Sequence, residues 1–173
     1  MNIEKYFAYL EELATQHVEI GHALGTPKFF RVNINELDNA FKGRVGWPLL
    51  AAMDPLVNTE AQIESNMRLS IRGSVLILDR LNDKGDFAAR LALEQKCFAI
   101  ARDIILKMLN DRKSYALANK SFVLPGIDLN SFDIELVPDT YTGFAGCLLN
   151  FKWNHPLGQF DASRFANVEK YEL

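Results

Sequence analysis

The sequence predicts an α+β fold, in which a mostly antiparallel sheet carries an N-terminal amphipathic helix and one long helix on one face. Two kinds of pattern lead to this prediction. Apolar residues recur at helical spacing at the start of the chain and again after residue 86, whereas apolar and polar residues alternate from residue 67 and from residue 132. The predicted elements follow in the order helix, strand, small helix, two strands, long helix and hairpin. This order implies a mostly antiparallel sheet.

The first helix is predicted over residues 2–20, because apolar residues recur every three or four positions while glutamates occupy the opposite side. Glycines and a proline at residues 21–27 interrupt the chain after it. Residues 28–32 have the composition of a short strand, and Asn35 could cap a small helix over residues 35–41. The apolar side of the first helix consists of Ile3, Tyr6, Phe7, Leu10, Leu13, Ala14 and His17.

Two further strands are predicted in the middle of the chain. Residues 47–53 form the first, and Pro48 near its start favours an edge position, because proline cannot donate to a central hydrogen-bond ladder. Residues 54–66 are predicted to be a loop. From Met67 the chain alternates and becomes continuously apolar after Gly73. This pattern indicates one long strand that passes from a half-exposed to a buried setting, with Gly73 as a candidate bulge.

The long helix is predicted over residues 86–112, with Asp86 as its N-cap after a turn at residues 82–85. Its apolar residues fall on two adjacent lines rather than on one narrow stripe, so two neighbours are implied. One neighbour is the sheet, and the other is the first helix or a second subunit. The two lines are Phe87, Leu91, Phe98, Ile105 and Leu109, and Leu93, Cys97, Ile100, Ile104 and Met108.

A C-terminal β-hairpin is predicted from two segments on either side of a turn at residues 139–143. Residues 132–136 alternate between apolar and acidic side chains, and residues 145–154 are the most regular period-two segment of the chain. Residues 156–173 lack such a period. The predicted organisation is therefore one α+β domain over residues 1–155, followed by a C-terminal arm or extension over residues 156–173.

The bulk composition excludes several classes of protein. A length of 173 residues with 49% hydrophobic content suits one domain that needs no disulfides. The formal charge of −3, with basic residues spread along the chain, gives no reason to expect sequence-specific nucleic-acid binding. The first residues lack the pattern of a secretory signal, and the longest apolar run, residues 75–78, is far shorter than the ~20 residues of a membrane span. We therefore expect no membrane partner.

No residue pattern indicates catalysis, and we expect no enzyme activity, no cofactor and no metal. His17 and His22 do not share the i, i+4 face of a helical metal pair, and His17 falls on the apolar side of its helix. Cys97 and Cys147 have apolar surroundings in their predicted elements, which is typical of inert buried thiols. The sequence contains neither a P-loop, nor a dinucleotide-binding glycine pattern, nor a serine-nucleophile elbow.

Two groups of residues have both a functional and a structural interpretation. Asp79, Asp83 and Asp86 lie at a strand-to-helix junction where carboxylates can hold a divalent cation, although a turn and a helix cap also account for them. Residues 29–31 and 151–153 interleave aromatic and basic side chains, as single-stranded nucleic-acid platforms do. Neighbouring side chains of a strand point to opposite faces, so core packing is the simpler interpretation.

Five segments carry a family resemblance: residues 3–17, 29–32, 72–79, 86–87 and 146–151. Together they resemble small virion proteins of tailed bacteriophages and prophages, in particular the tail-terminator or tail-completion proteins and the neck proteins between tail tube and head. The resemblance implies a homo-oligomeric ring, commonly of six subunits for terminators and twelve for neck adaptors. It also implies other tail or neck proteins as partners, assembly in the host cytoplasm, and a passive DNA channel. The resemblance carries over no catalytic, cofactor or metal residues.

Two other functions stay open at the level of the sequence. The chain could be a non-enzymatic protein-binding adaptor or an immunity-type protein that docks one partner through an exposed sheet or helix. It could also be a small-molecule-binding domain or an unrecognised enzyme with a cleft between the long helix and the sheet. The doubly apolar long helix favours the assembly role, because burial against a neighbouring subunit explains it without any catalytic pattern.

Overall fold

The computed structural model describes residues 3–32, 46–61, 67–83, 85–118, 126–137 and 143–156. In chain order the elements are α1 (Ile3–Gln16), β1 (Phe29–Val32), β2 (Leu49–Met53), β3 (Leu56–Ala61), β4 (Met67–Arg80), α2 (Phe87–Ala118), β5 (Asp133–Leu136) and β6 (Phe144–Pro156). The described residues thus form two helices and a mixed sheet of six strands, in which β1 and β2 are parallel and the other pairs are antiparallel. This confirms the predicted α+β class and the mostly antiparallel sheet.

The sheet is built around β4. Its strand order is β1-β2-β4-β6-β5, and β3 also pairs with β4. One side of β4 pairs with β6 along almost its whole length, whereas the other side pairs first with β3 and then with β2. The prediction that residues 47–53 form an edge strand is wrong, since β2 lies between β1 and β4. Pro48 precedes the first residue of β2, so the missing N–H group interrupts no ladder.

Two further expectations for this region are wrong. The predicted loop over residues 54–66 contains strand β3, whose apolar and polar residues do not alternate and which forms by pairing with β4. The expected bulge at Gly73 is absent, since the pairing of β4 with β6 continues through Gly73 and Phe151. The irregularity lies instead on the opposite side of β4. There the pairing register shifts by one residue between β2 and β3, which Asp54 and Pro55 join.

Aromatic packing accounts for Gly73. A Cβ atom at this position would come within 2.7 Å of the Phe151 ring and 2.9 Å of the Trp153 ring. The ring centroids of these two residues are 5.6 Å apart, and that of Tyr6 in α1 is 5.2 Å from that of Trp153. Because Gly73 has no side chain, the aromatic cluster can lie directly on β4 and join the sheet to α1.

Both helices pack on one face of the sheet and share one core with it. The strand residues in this core alternate along β4 and β6, as expected when successive side chains point to opposite faces. Complete burial of a large aliphatic or aromatic side chain contributes ~1.5–3 kcal/mol, so this core is the main source of stability. The helices contribute Tyr6, Phe7, Leu10, Leu13, Cys97, Ile100, Ile104 and Met108.

The opposite face of the sheet, called here the far face, has an apolar and a polar part. In the polar part, Ser74 Oγ donates to Asn150 Oδ1 at 2.7 Å, and Asn150 Nδ2 donates to Glu135 Oε1 at 3.0 Å. This row crosses β4, β6 and β5. The apolar part is a second buried cluster, formed by Val32, Leu49, Ala51, Leu76, Leu78 and Val137.

The helix boundaries differ by a few residues from those predicted. α1 ends at Gln16 rather than at residue 20, and α2 continues past residue 112. Asp86 caps α2 as predicted, because its Oδ1 accepts a hydrogen bond from the N–H group of Ala89 at 2.9 Å. The predicted small helix over residues 35–41 and residues 157–173 of the predicted arm lie outside the described residues.

Candidate functional site

The two apolar sides of α2 have different surroundings. The predicted line that includes Cys97 and Ile104 faces the sheet and is buried. The other line is open in the first half of the helix, where Phe87, Leu91 and Phe98 are 76%, 44% and 48% exposed. Three large apolar side chains therefore face outward within three turns of one helix.

Strand β5 lies beside this exposed side of α2. Arg90 of α2 donates through Nη2 to the carbonyl oxygen of Val137, the residue directly after β5, at 3.3 Å. Leu136 pairs with Cys147, whose side chain is in the core beneath the helices, so Leu136 points to the helix-covered face, and it is exposed. We call Phe87, Leu91, Phe98 and Leu136 the α2–β5 surface.

The backbone of β5 adds hydrogen-bonding groups to the α2–β5 surface. Among the described strands β5 pairs only with β6, so it forms one edge of the sheet. The side chains of Asp133 and Glu135 on this strand are exposed. An edge strand presents unpaired N–H and C=O groups to which another chain can add a strand. Apolar contact and backbone pairing are thus available at the same place.

A groove between α1 and α2 is the alternative candidate for a binding site. The predicted cleft lay between the long helix and the sheet, whereas this groove lies between the two helices. In the groove, His17 Nε2 is 3.8 Å from Asp103 Oδ2, and Lys107 is paired with Asp111. Its volume of about 200 Å³ is below the ~300–1,000 Å³ of most ligand pockets. The residues around it are Leu13, Gln16, His17, Asp103, Ile104 and Lys107.

The first two histidines have local structural partners. Nδ1 of His17 accepts a hydrogen bond from the N–H group of Glu19 at 3.3 Å. Nδ1 of His22 accepts from the N–H groups of Lys28 and Phe29 at 3.0 and 3.2 Å, and thereby holds the turn that leads into β1. In the part of the chain that the structure describes, no three histidine, cysteine or acidic side chains are placed to share a metal ion.

The three aspartates near the junction of β4 and α2 have separate partners. Asp79 Oδ2 lies 2.8 Å from Lys96 Nζ, and this hydrogen bond is the main reason that the pKa of Lys96 is raised. Asp83 Oδ1 accepts a hydrogen bond from Gly85 N–H at 2.9 Å, and Asp86 caps α2. The predicted turn and cap account for Asp83 and Asp86, and the ion pair accounts for Asp79.

Both cysteines are buried and free. Burial raises the pKa of the Cys97 thiol and of the Cys147 thiol to about 12. Cys97 Sγ is 3.9 Å from the carbonyl oxygen of Ala145, its hydrogen-bond acceptor. A thiol with such a high pKa is almost entirely protonated at neutral pH and is a poor nucleophile.

In the two segments that interleave aromatic and basic residues, neighbouring side chains point to opposite faces of the sheet. Arg31 Cζ lies 4.3 Å from the centroid of the Phe7 ring on the helix-covered face, whereas Phe30 packs on the far face. Phe151 belongs to the core beneath the helices, and Lys152 therefore points to the far face. Neither segment presents a continuous aromatic and basic platform.

Sequence reasoning found part of the α2–β5 surface. The presence of two apolar lines on α2 predicted a second neighbour, and Phe87, Leu91 and Phe98 of one line are exposed. Leu136 and the open edge of β5 were not singled out, although the acidic residues that alternate along this strand are typical of an exposed face.

Neither described helix is both long and apolar enough to cross a membrane. Comparison with known proteins provides no identification, because no family model, no curated protein and no solved structure matches the chain.

Proposed function

We propose that this chain is a structural assembly protein, and more specifically a ring-forming tail-terminator or tail-completion protein at the head-tail junction of a tailed phage. The observation that carries the assembly role is the α2–β5 surface, where large apolar side chains are exposed beside an edge strand. Contiguous exposed apolar surface is typical of a protein interaction site. The virion setting, with tail or neck proteins as further partners, rests on the resemblance of the five sequence segments.

The composition of this surface suits the centre of an interface. Phenylalanine and leucine side chains supply apolar area, and every 100 Å² that a partner removes from water stabilises the contact by about 2.5 kcal/mol before the costs of association. The ion pair between Arg90 and Glu94, at 2.8 Å, lies between the apolar line of α2 and the end of β5, where Arg90 also donates to Val137.

A protein-binding adaptor is the second candidate function. The same α2–β5 surface favours it, because a helix flank and a strand edge can dock one different partner without self-association. The two candidates differ in what covers Phe98 and Leu91: another copy of this chain or a different protein. Both candidates act by surface burial and use no cofactor.

The mass of the purified protein in solution, measured by light scattering together with negative-stain images, separates the two functions. Six or twelve copies in an annulus are the result expected of the ring. A monomer at every accessible concentration would contradict self-assembly and favour the adaptor.

Substitution at the α2–β5 surface tests the site itself. The double change Leu91→Gln and Phe98→Gln is expected to reduce the mass towards that of a monomer, because apolar area at the interface is lost. Leu24→Gln is the matched control, since Leu24 is fully exposed in the turn before β1. An unchanged mass in the double variant would exclude this surface from the assembly contact.

A further inference from the structure

Strand β3 is a second open edge of the sheet. Among the described strands it pairs only with β4. Leu56 and Val57 point to opposite faces of β3 and are 67% and 46% exposed, and Asn58 and Thr59 are exposed as well. The described part of the chain therefore covers this strand on neither face, and such an edge is a template for pairing with another chain.

The strand directions allow β3 of one copy to pair with β5 of another. β3 and β6 are both antiparallel to β4, and β5 is antiparallel to β6, so β3 and β5 run in opposite directions. They also lie on opposite sides of the β4–β6 pair. A neighbouring copy with its sheet in the same orientation therefore presents β3 antiparallel to β5, and antiparallel pairing is the more stable kind.

A basic residue lies one strand inside the β3 edge, on the same face as the acidic residues of β5. Asp133 and Glu135 of β5 belong to the far face, since Asp133 pairs with Asn150. Arg72 of β4 pairs with Leu56 of β3, is exposed, and points to the same face. If β3 of one copy adds to β5 of another, Arg72 lies two strand spacings from the acidic strand, or about 10 Å between backbones. A guanidinium and a carboxylate on long side chains can bridge this distance.

The helix-covered face of the same contact is apolar. Val57 of β3 pairs with Ile71, whose side chain is in the core beneath the helices, so Val57 points to that face. In the register that pairs Asn58 with Asp133, a β3 strand placed beside β5 would bring Val57 opposite Ile134 and diagonal to Leu136, beneath the exposed side of α2. The apolar residues of both edges would then cover one another.

Other edge pairings fit the described residues less well. Two β5 strands related by a two-fold axis would place the acidic residues of both copies on one face, where like charges oppose each other. The outer strand on the other side, β1, is partly occupied, because the N–H group of Phe29 already donates to His22 Nδ1. Phe29 and Val32 of β1 are also buried.

We propose that a second copy of this chain docks strand β3 against the α2–β5 surface, so that the sheet continues from β5 of one copy into β3 of the next. The inference rests on the proposed assembly function and specifies its partner and its contact. Because the two edges differ, the contact is head-to-tail, and its repetition closes into a ring when the rotation per subunit allows.

Paired cysteines test the contact directly. The double variant Asn58→Cys with Asp133→Cys places two cysteines on the same face of the sheet. Within one copy, β4 and β6 separate the two positions by three strand spacings, about 14 Å. A disulfide requires Cα atoms ~4.4–6.8 Å apart, so it can form only between copies. The buried Cys97 and Cys147 remain as an unreactive background. After mild oxidation we expect a ladder of dimers, trimers and higher species from the double variant, and none from either single variant.

Two outcomes of this experiment would overturn the proposal. Dimers from Asp133→Cys alone, without a ladder from the double variant, would indicate a two-fold contact between β5 strands. Absence of cross-linked species from the double variant, and also from Asn58→Cys combined with Glu135→Cys, would show that the two edges do not meet.

Charge reversal separates failure of this contact from failure of the assembly function. Arg72→Glu, and separately Asp133→Lys with Glu135→Lys, are expected to weaken self-association about tenfold or more, and the combined variant is expected to recover it. Glu12→Lys is the control, because Glu12 is exposed in the second half of α1 and accepts a hydrogen bond from Gln16 of the same helix. Wild-type oligomers that are insensitive to all reversals would overturn the strand contact alone. A monomeric wild type without cross-linking would contradict both proposals.

Discussion

The two apolar sides of α2 consist of similar residues and differ in burial. Ile104 and Met108 on one side are almost completely buried, whereas Phe87 and Phe98 on the other are about half exposed or more. The sheet can cover only one side of a helix, and α2 is already in contact with α1 along a further part of its surface. An apolar line on a helix therefore does not by itself show whether the residues that cover it belong to the same chain.

If the proposed assembly function holds, this difference in burial separates the residues that stabilise the fold from those that contact a partner. The buried side contributes to the core that holds α2 on β4 and β6. The exposed side contributes little to that core, so its substitution should change association more than folding. Four measurements test this separation and the packing of the core.

The largest effect is expected from Ile104→Ala, which should lower the free energy of unfolding by about 2–5 kcal/mol because it leaves a cavity in the core. Phe98→Ala is the matched variant on the exposed side and should cost about 0.5 kcal/mol or less in dilute protein. Chemical denaturation at several protein concentrations measures both. An equal loss in the two variants would mean that the exposed side of α2 is covered within its own chain.

A smaller loss is expected from Gly73→Ala. Its Cβ atom would meet the Phe151 and Trp153 rings at less than 3 Å, and displacement of a packed core costs about 1–3 kcal/mol. Gly25→Ala is the control, because a Cβ atom there has no neighbour within 4 Å. Thermal denaturation of both variants checks the prediction, and equal midpoints would argue against close packing over Gly73.

The smallest effect on the free energy of unfolding near neutral pH is expected from ionisation of the two cysteine thiols. The folded-state pKa of Cys97 and of Cys147, about 12, is raised above the ordinary 9.0. The folded state therefore favours the protonated thiols, and their contribution is complete below pH 9 and is lost as the pH rises towards 12. We expect constant stability from pH 6 to 8 and a decline above pH 9. A Cys97→Ala and Cys147→Ala variant should show a weaker decline.

Reaction of the thiols with a colorimetric reagent provides an independent check of their burial. At pH 8 the native protein should show almost no reactive thiol, and the protein in denaturant should show two. Rapid reaction of the native protein would contradict the buried positions of Cys97 and Cys147.

Local sequence patterns were sufficient to predict the helices and strands with strong periodicity. α1, the start of α2, β4 and β6 follow from spacing, capping and alternation, because each pattern reflects the geometry of a single element. β3 escaped prediction, since residues 56–61 acquire their strand structure from pairing with β4 and have a weak pattern of their own. The role of Gly73 also escaped prediction, because the rings that exclude its side chain come from a strand more than seventy residues later.

The amino-acid sequence therefore determines the class of this fold, the amphipathic helix at its start and the presence of two apolar lines on α2. Only the tertiary structure decides which of those lines is buried, which strands are edges, and that Leu136 lies beside the open side of the helix. The physical reason is that periodicity specifies the side on which residues lie within one element. Which residues cover that side of an element depends on contacts between segments distant in the chain. On α2 and β3, the described residues leave apolar side chains uncovered.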